Sequence, residues 1–261
     1  IIWGYEAKHP FPAQAEAISS CGLSYCLAPG TGTWRGFTGR WPNAKANLES
    51  AVKNATDHNA DGILLTSWGD CGNHQPWAIL YPPLVYAAHL AWNGKHLNDS
   101  QISGYVSQMV FDSEAENPSE AILKMGKLDE TLGASLPNTS LPWFLLFVPK
   151  LDQLEKYLAK NQSEEQLKKA LRFLAESRDA LPEKSPSDEA CIAIEEAKMG
   201  IDISIFAFEK TLAIIYGRKA EKSATPKSIL QRYERLWLSR ARPGGLPESM
   251  TLLAEGLNQS F

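Results

Sequence analysis

Short apolar runs alternate with helix-like segments over the first 94 residues, and this alternation limits the possible folds more than any other feature of the sequence. The predicted strands are 1–6, 23–30 and 62–68. The predicted helices that follow them are 12–22, 43–59 and 82–94. Alternation of this kind indicates βα units built around a parallel sheet. In such a sheet the carboxyl ends of the strands share one edge, and here each predicted strand ends in polar, aromatic or glycine-rich sequence.

The composition changes near Gly94, after which Leu, Glu, Lys and Ala recur with helical spacing. We therefore predict two domains, 1–94 with the βα units and 95–261 with helices only. The helices predicted in the second domain are 103–111, 119–133, 151–161, 163–181, 188–217 and 227–241. Gly94 is expected to end a helix, and Ser163 with Gln166 to form a capping box. The helical region is interpreted either as a bundle packed on the βα units or as a second binding surface.

The net charge and the short length of the apolar stretches exclude two classes of partner. The net charge of -4 gives no electrostatic argument for binding nucleic acid or an anionic membrane. The longest apolar stretches are well short of the roughly 20 residues that a membrane span needs. We therefore expect neither nucleic acid nor a membrane as a partner.

The four cysteines, Cys21, Cys26, Cys71 and Cys191, form no Cys-x-x-Cys pair. Free thiols favour a reducing compartment, so the localisation, otherwise unknown, leans towards the cytoplasm. Cys71 and His74 could be two metal ligands, but no second pair has matching spacing, and no metal site is predicted. The chain starts with Ile inside a strand-like run, and we expect it to be the C-terminal piece of a longer chain, with any signal peptide out of view.

The stretch "TSWGDCGNHQPW" at 66–77 combines two tryptophans with a carboxylate, a histidine and an amide at a predicted strand end. A pyranose has an apolar face that stacks on an aromatic ring and hydroxyl groups that need hydrogen-bond partners. The stretch therefore suits a sugar-binding site. The alternative is a strand that ends in a capped turn with buried tryptophans.

Three strings in the first 93 residues resemble the β-N-acetylhexosaminidases, which are family twenty of the glycoside hydrolases. They are "IIWGYE…HPF", "YCLAPGTGTW…GRWPNAKANL" and "GILLTSWGDCGNHQPW". The resemblance implies an α/β fold: the C-terminal portion, about three βα units, of a (β/α)₈ TIM barrel, followed by a mainly α-helical region. It also implies removal of terminal N-acetylglucosamine or N-acetylgalactosamine from glycans by a substrate-assisted retaining mechanism, without a cofactor.

The catalytic Asp-Glu pair of the resembled family lies in a His-x-Gly-x-Asp-Glu motif, which this sequence lacks. Its two Asp-Glu dipeptides, Asp129-Glu130 and Asp188-Glu189, occur in charged helical segments, where a helix surface and a helix start explain them. We therefore predict no catalytic residue in this chain. The expected partners are N-acetylated amino-sugar glycans and the N-terminal half of the same barrel, which would carry the pair.

The resemblance also implies a set of substrate-binding residues, and for most of them an alternative stays open. Trp3 and Trp68 would be walls of an aromatic box around the acetamido group, or core residues. Asp70 would accept a sugar hydroxyl, or lie in a solvated turn or N-cap. The remaining candidates are Glu6, which could bind a hydroxyl or an arginine, Trp34 in the loop after the second strand, and His74, which could line the rim or hold its loop.

The leading hypothesis is therefore part of an exo-acting β-N-acetylhexosaminidase, inactive by itself because its Asp-Glu pair lies outside this chain. Two other classes compete with it: a non-catalytic carbohydrate-binding protein of the same fold, and a helical structural or interaction domain.

Overall fold

A computed structural model describes residues 1–111, 118–148, 150–185, 187–217 and 224–258. The fold is mainly helical, with 68% of the structure in helices and 4% in strands. The strands are β1 (Ile2–Trp3), β2 (Cys26–Ala28) and β3 (Gly62–Ile63). The helices are α1 (Phe11–Ser20), α2 (Trp41–Asp57), α3 (Tyr81–Asn93), α4 (Asp99–Val106), α5 (Pro118–Met125), α6 (Leu128–Thr131), α7 (Leu141–Phe147), α8 (Leu151–Asn161), α9 (Glu164–Asp179), α10 (Asp188–Tyr216), α11 (Pro226–Arg240) and α12 (Leu246–Asn258).

The strands form one parallel sheet in the order β1-β2-β3. Ile2 lies opposite Leu27, and Leu27 lies opposite Ile63 on its other side. Beyond β3 a single bridge between Gly30 and Thr66 continues the pairing. This bridge brings the carboxyl ends of β2 and β3 together at one edge of the sheet.

The predicted fold class, three βα units of a (β/α)₈ TIM barrel followed by helices, is wrong. The described strands have two or three residues each, whereas strands usually have five or six. Apolar composition does not distinguish a long buried strand from a short strand continued by an irregular loop. In the run 62–68, for example, Leu64 is exposed and Leu65 packs against the helical core. The molecule is a helical fold with a small parallel sheet.

Helix boundaries were predicted better than strands because capping residues mark them. Gly94 ends α3 in the left-handed conformation, and Ser163 forms the expected capping box with Gln166. The helix predicted at 43–59 begins two residues earlier, at Trp41. The predicted helix 119–133 divides into α5 and α6, and 103–111 corresponds to α4 followed by a π-helical turn at Ser107–Phe111.

Two apolar clusters stabilise the fold. The larger is centred on α10, a helix of 29 residues that packs against α7, α9 and α11. The smaller joins α1, β2 and α2 through Phe11, Leu27 and Ala51. The larger cluster contains residues from both sides of Gly94, including Trp41 and Ile122. The division into domains 1–94 and 95–261 stays a prediction, because a shared core does not decide whether two segments fold independently.

Candidate functional site

Four aromatic side chains meet at the carboxyl ends of the strands, and we call them the aromatic cluster: Trp3, Tyr5, Trp34 and Trp68. The Tyr5 ring is stacked on Trp3 with 5.5 Å between ring centroids. It makes edge contacts with Trp34 at 4.9 Å and with Trp68 at 6.3 Å. Tyr5 is therefore the centre of the cluster, and aromatic pairs at these distances stabilise each other.

The cluster has an exposed part and a buried part. Trp3 is 63% exposed and Trp68 is 47% exposed, whereas Trp34 is only 2% exposed. Gly30 permits this packing, because a Cβ there would lie 2.4 Å from the Trp34 ring and 2.8 Å from the Tyr5 ring. Trp3 and Trp68 thus offer ring surface to solvent while Trp34 supports Tyr5 from the core.

Polar groups lie on the same edge of the sheet. Asp70 is exposed and begins a short 3-10 turn two residues after Trp68. In the described part of the chain no hydrogen bond or ion pair uses its carboxylate, which leaves it free to accept a ligand hydroxyl. The hydroxyl oxygens of Thr31 and Thr33 lie 2.9 Å apart, and the Thr33 hydroxyl oxygen lies 3.5 Å from the Ser67 hydroxyl oxygen.

Two asparagines of α2 fix the backbone beneath the aromatic cluster. The buried Asn47 amide accepts from Gly30 N at 3.1 Å and donates to the carbonyls of Gly4 and Glu6, each at 3.0 Å. One turn earlier, Asn43 donates to Tyr5 O and accepts from Ala7 N, both at 2.8 Å. The segment that carries Tyr5 is therefore held to α2 on both sides of that residue.

Residues 68–75, which we call the strand-end loop, carry Trp68 and Asp70. Three consecutive residues of the loop have positive φ angles: Cys71 at 54°, Gly72 at 102° and Asn73 at 55°. At the far end of the loop Gln75 Nε2 donates to Trp68 O at 2.5 Å. The loop is thus a compact turn whose closing contact is made by the Trp68 backbone.

His74 is buried in this loop and does not lie on the rim. Its Nε2 donates to Ser249 O at 2.9 Å, and its ring is stacked on Phe147 at 5.3 Å. Burial lowers the His74 pKa to about 4, although the bond to Ser249 O opposes the shift. A neutral, buried imidazole with these partners holds the loop, which was the second of the two roles considered for His74.

Glu6 forms a bidentate pair with Arg40, at 2.7 and 3.0 Å, and accepts from Asn138 N at 2.8 Å. Burial opposes its ionisation, but Arg40 and the Asn138 amide together lower the Glu6 pKa. Of the two roles predicted for Glu6, the structure shows the bond to an arginine. The pair lines a separate cleft of about 590 Å³ together with Asp129, and no member of the aromatic cluster is among the described residues lining it.

Neither Asp-Glu dipeptide is arranged as a proton donor at the aromatic cluster. Asp129 accepts from Leu141 N at 3.1 and 3.3 Å, and burial raises its pKa to about 7. Glu189, in the first turn of α10, binds Arg240 and the Tyr81 hydroxyl. Both dipeptides thus have structural partners.

The structure therefore brings together Trp3, Trp34 and Trp68, and places Asp70 on the same loop as Trp68. It puts Glu6 and His74 in other surroundings. Tyr5 and Asn47 were missed by the sequence reasoning. Tyr5 was detectable, because residues two apart on an extended strand share a face and Trp3 precedes it by two. Asn47 carried no signal beyond being a polar residue in an amphipathic helix.

Among the described residues no group of three or more His, Cys, Asp or Glu side chains is placed to hold a metal ion. All four cysteines are free thiols. Every helix in the described ranges is too short or too polar to cross a membrane.

Comparison with other proteins identifies no family for this chain. No model of a known protein family matches the sequence, and no curated protein matches it. The resemblance to β-N-acetylhexosaminidases depends on the three strings quoted above and stays a hypothesis about the family to which the chain belongs.

Proposed function

We propose that this chain supplies the sugar-binding side of an exo-acting β-N-acetylhexosaminidase that removes terminal N-acetylglucosamine or N-acetylgalactosamine. One observation carries the proposal: Trp3 on β1 and Trp68 after β3, the two outer strands of the sheet, expose ring surface, and both rings contact Tyr5. Exposed aromatic rings held in place by other rings are what the apolar face of a pyranose needs.

The nearby polar group fits the hydroxyls of the same ligand. The Asp70 carboxylate would accept a hydrogen bond from a sugar hydroxyl, and a charged acceptor makes such a bond stronger than a neutral one. The tryptophans would hold the acetamido methyl group and exclude water from the acetamido carbonyl. In a substrate-assisted mechanism that carbonyl attacks the anomeric carbon, so orientation and desolvation by this wall would accelerate the reaction.

The proton donor is proposed to lie outside this chain. The sequence has no His-x-Gly-x-Asp-Glu motif, and Asp129 and Glu189 are bonded to structural partners. The chain alone is therefore expected not to hydrolyse a chromogenic β-N-acetylglucosaminide. Turnover near the ordinary enzyme rate of about 10 per second would show that the acid lies within these residues.

The binding claim can be tested directly with the chain as it stands. Titration with N-acetylglucosamine, followed by tryptophan fluorescence and calorimetry, should give a Kd on the order of 1 mM, the range expected for one sugar on an open surface. Trp68→Ala and Trp3→Ala should each abolish measurable binding. Trp92→Ala is the matched control, because Trp92 on α3 is 90% exposed and makes no ring contact within the described residues. Binding that survives both cluster variants would refute the proposal.

A non-catalytic carbohydrate-binding protein is the second candidate, favoured because neither Asp129 nor Glu189 is placed as a proton donor at the aromatic cluster. The two candidates differ in which form of the sugar they prefer. An enzyme wall should bind a bicyclic thiazoline, which mimics the intermediate formed by the acetamido carbonyl, more tightly than N-acetylglucosamine. A binding protein should show no such preference.

A further inference from the structure

One residue of the strand-end loop, Cys71, has a backbone conformation that its residue type does not favour. Cys71, with φ 54° and ψ 49°, is in the left-handed region, which costs a residue other than glycine roughly 1–2 kcal/mol. Asn73 is in the same region, where asparagine is better tolerated. Such a conformation persists only where the surroundings fix it, and residues held this way are concentrated at functional sites.

The contacts that fix the strand-end loop come from the two last helices. Ser249 of α12 donates its hydroxyl to Gly72 O, and Tyr233 of α11 donates to Ser249 Oγ at 2.6 Å. The Tyr233 hydroxyl also lies 3.4 Å from Asn73 O. Both side chains are buried, and removing a buried partner leaves a desolvated polar group without compensation. The Ser249 hydroxyl thus binds the Gly72 carbonyl at the centre of the left-handed turn, and the Tyr233 hydroxyl orients the Ser249 hydroxyl.

His74 completes the attachment from the side of the loop. Its ring lies between Phe147 of α7 and Tyr233, and its Nε2 donates to the Ser249 backbone carbonyl. A Cβ on Gly72 would lie 2.5 Å from this ring, so only glycine fits there. The loop is therefore shaped to the surface that α7, α11 and α12 present.

We infer that Ser249 and Tyr233 are positioning residues, through which the C-terminal helices set the conformation of the strand-end loop and hence the placement of Trp68 and Asp70. The inference rests on the proposed function, because it assigns a role at the same sugar-binding surface. The link to Trp68 is the bond from Gln75 Nε2 to the Trp68 carbonyl, which closes the loop that the helices hold. Neither Ser249 nor Tyr233 is proposed to touch the sugar.

The test compares Ser249→Ala and Tyr233→Phe, which each remove a single hydroxyl, with Thr251→Ala. Thr251 is on the exposed side of the same helix and donates within it to Pro247 O, so its loss leaves the loop contacts intact. Amide hydrogen exchange of residues 69–75 should become about tenfold faster in the first two variants, since losing one such bond costs close to the 1.4 kcal/mol that corresponds to a factor of ten. Exchange in α1 should not change.

The same variants should bind N-acetylglucosamine about tenfold more weakly than the wild type, and the double variant should be little worse than Ser249→Ala, because the two hydroxyls form one network. Unchanged exchange in 69–75 would overturn the inference. So would faster exchange without any loss of affinity. A wild-type chain that binds no amino sugar would instead refute the proposed function, and hydrogen exchange would still decide whether the two hydroxyls hold the loop.

Discussion

A substitution at Asn47 is the most informative single test of how the site is built. The Asn47 side chain is fully buried on α2, and its amide makes three hydrogen bonds to backbone groups on two different strand ends. Two of these bonds go to the carbonyls on either side of Tyr5, those of Gly4 and Glu6. Replacing Asn47 with alanine should therefore loosen the backbone that carries the centre of the aromatic cluster.

The size of the effect follows from the number of bonds. Each intramolecular hydrogen bond contributes about 1 kcal/mol, so the loss of three should lower the free energy of unfolding by about 3 kcal/mol. Domains are usually stable by about 5–15 kcal/mol, so the variant should remain folded. The matched control is Asn54→Ala, on the same helix, where the amide makes one described hydrogen bond, to Ser50 O at 2.7 Å. It should cost about 1 kcal/mol.

Urea unfolding monitored by circular dichroism measures both values, and titration with N-acetylglucosamine measures the consequence for the site. Asn47→Ala should weaken sugar binding, whereas Asn54→Ala should leave the affinity unchanged, because Asn54 bonds only within its own helix. Equal loss of stability in the two variants would refute the bond-counting argument. A strongly destabilised Asn47→Ala with wild-type affinity would refute the link between Asn47 and the aromatic cluster.

Three further substitutions test other parts of the structure. Gly30→Ala should force the neighbouring rings apart and cost about 1–3 kcal/mol in urea unfolding, with weaker sugar binding; an unchanged midpoint would contradict the contact geometry. The folded-state pKa of His74 is about 4 and the unfolded one about 6.5, so the unfolded state binds more protons and stability should fall by about 3 kcal/mol as the pH drops through this window. His74→Gln should abolish that fall, and His96→Gln, at an exposed position, should not. Asp129 should give a pH dependence of opposite sign, because its folded-state pKa is raised to about 7. Stability should therefore decline as the pH rises from 4 to 7, and Asp129→Asn should flatten that part of the pH profile.

Local patterns in the sequence predicted the helices but not the extent of the strands. The helices α8, α9 and α11 begin and end within two residues of the predicted bounds, since their apolar spacing and capping residues act over a few positions. The ladder of a sheet depends on partners distant in sequence. Nothing local to the run 23–30 shows that the strand would be limited to Cys26–Ala28, with Leu27 paired to both neighbouring strands.

For the site as well, local patterns could be recognised in the sequence, whereas contacts between residues distant in sequence could not. Trp3, Trp68 and Asp70 could be proposed because the strings that contain them resemble the β-N-acetylhexosaminidases, and Trp68 and Asp70 lie at a predicted strand end. The role of Ser249 could not be foreseen, because its contact with Gly72 joins residues 177 positions apart. His74 illustrates the limit most clearly: its place in an aromatic and polar string suited a ligand site, and only the position of α12 shows that its ring is covered.

Exposure alone does not explain why the aromatic cluster, and not Trp92, is proposed to bind a ligand. Trp92 exposes more of its ring, but within the described residues no other ring contacts it. Trp3 and Trp68 are each fixed against Tyr5, and the Trp68 carbonyl is bonded to Gln75. A ring that is already immobilised loses little conformational freedom when a ligand stacks on it, whereas a mobile ring must be ordered first. If preorganisation is what makes these tryptophans a sugar-binding surface, then loosening the supports should weaken binding even though every ring remains present.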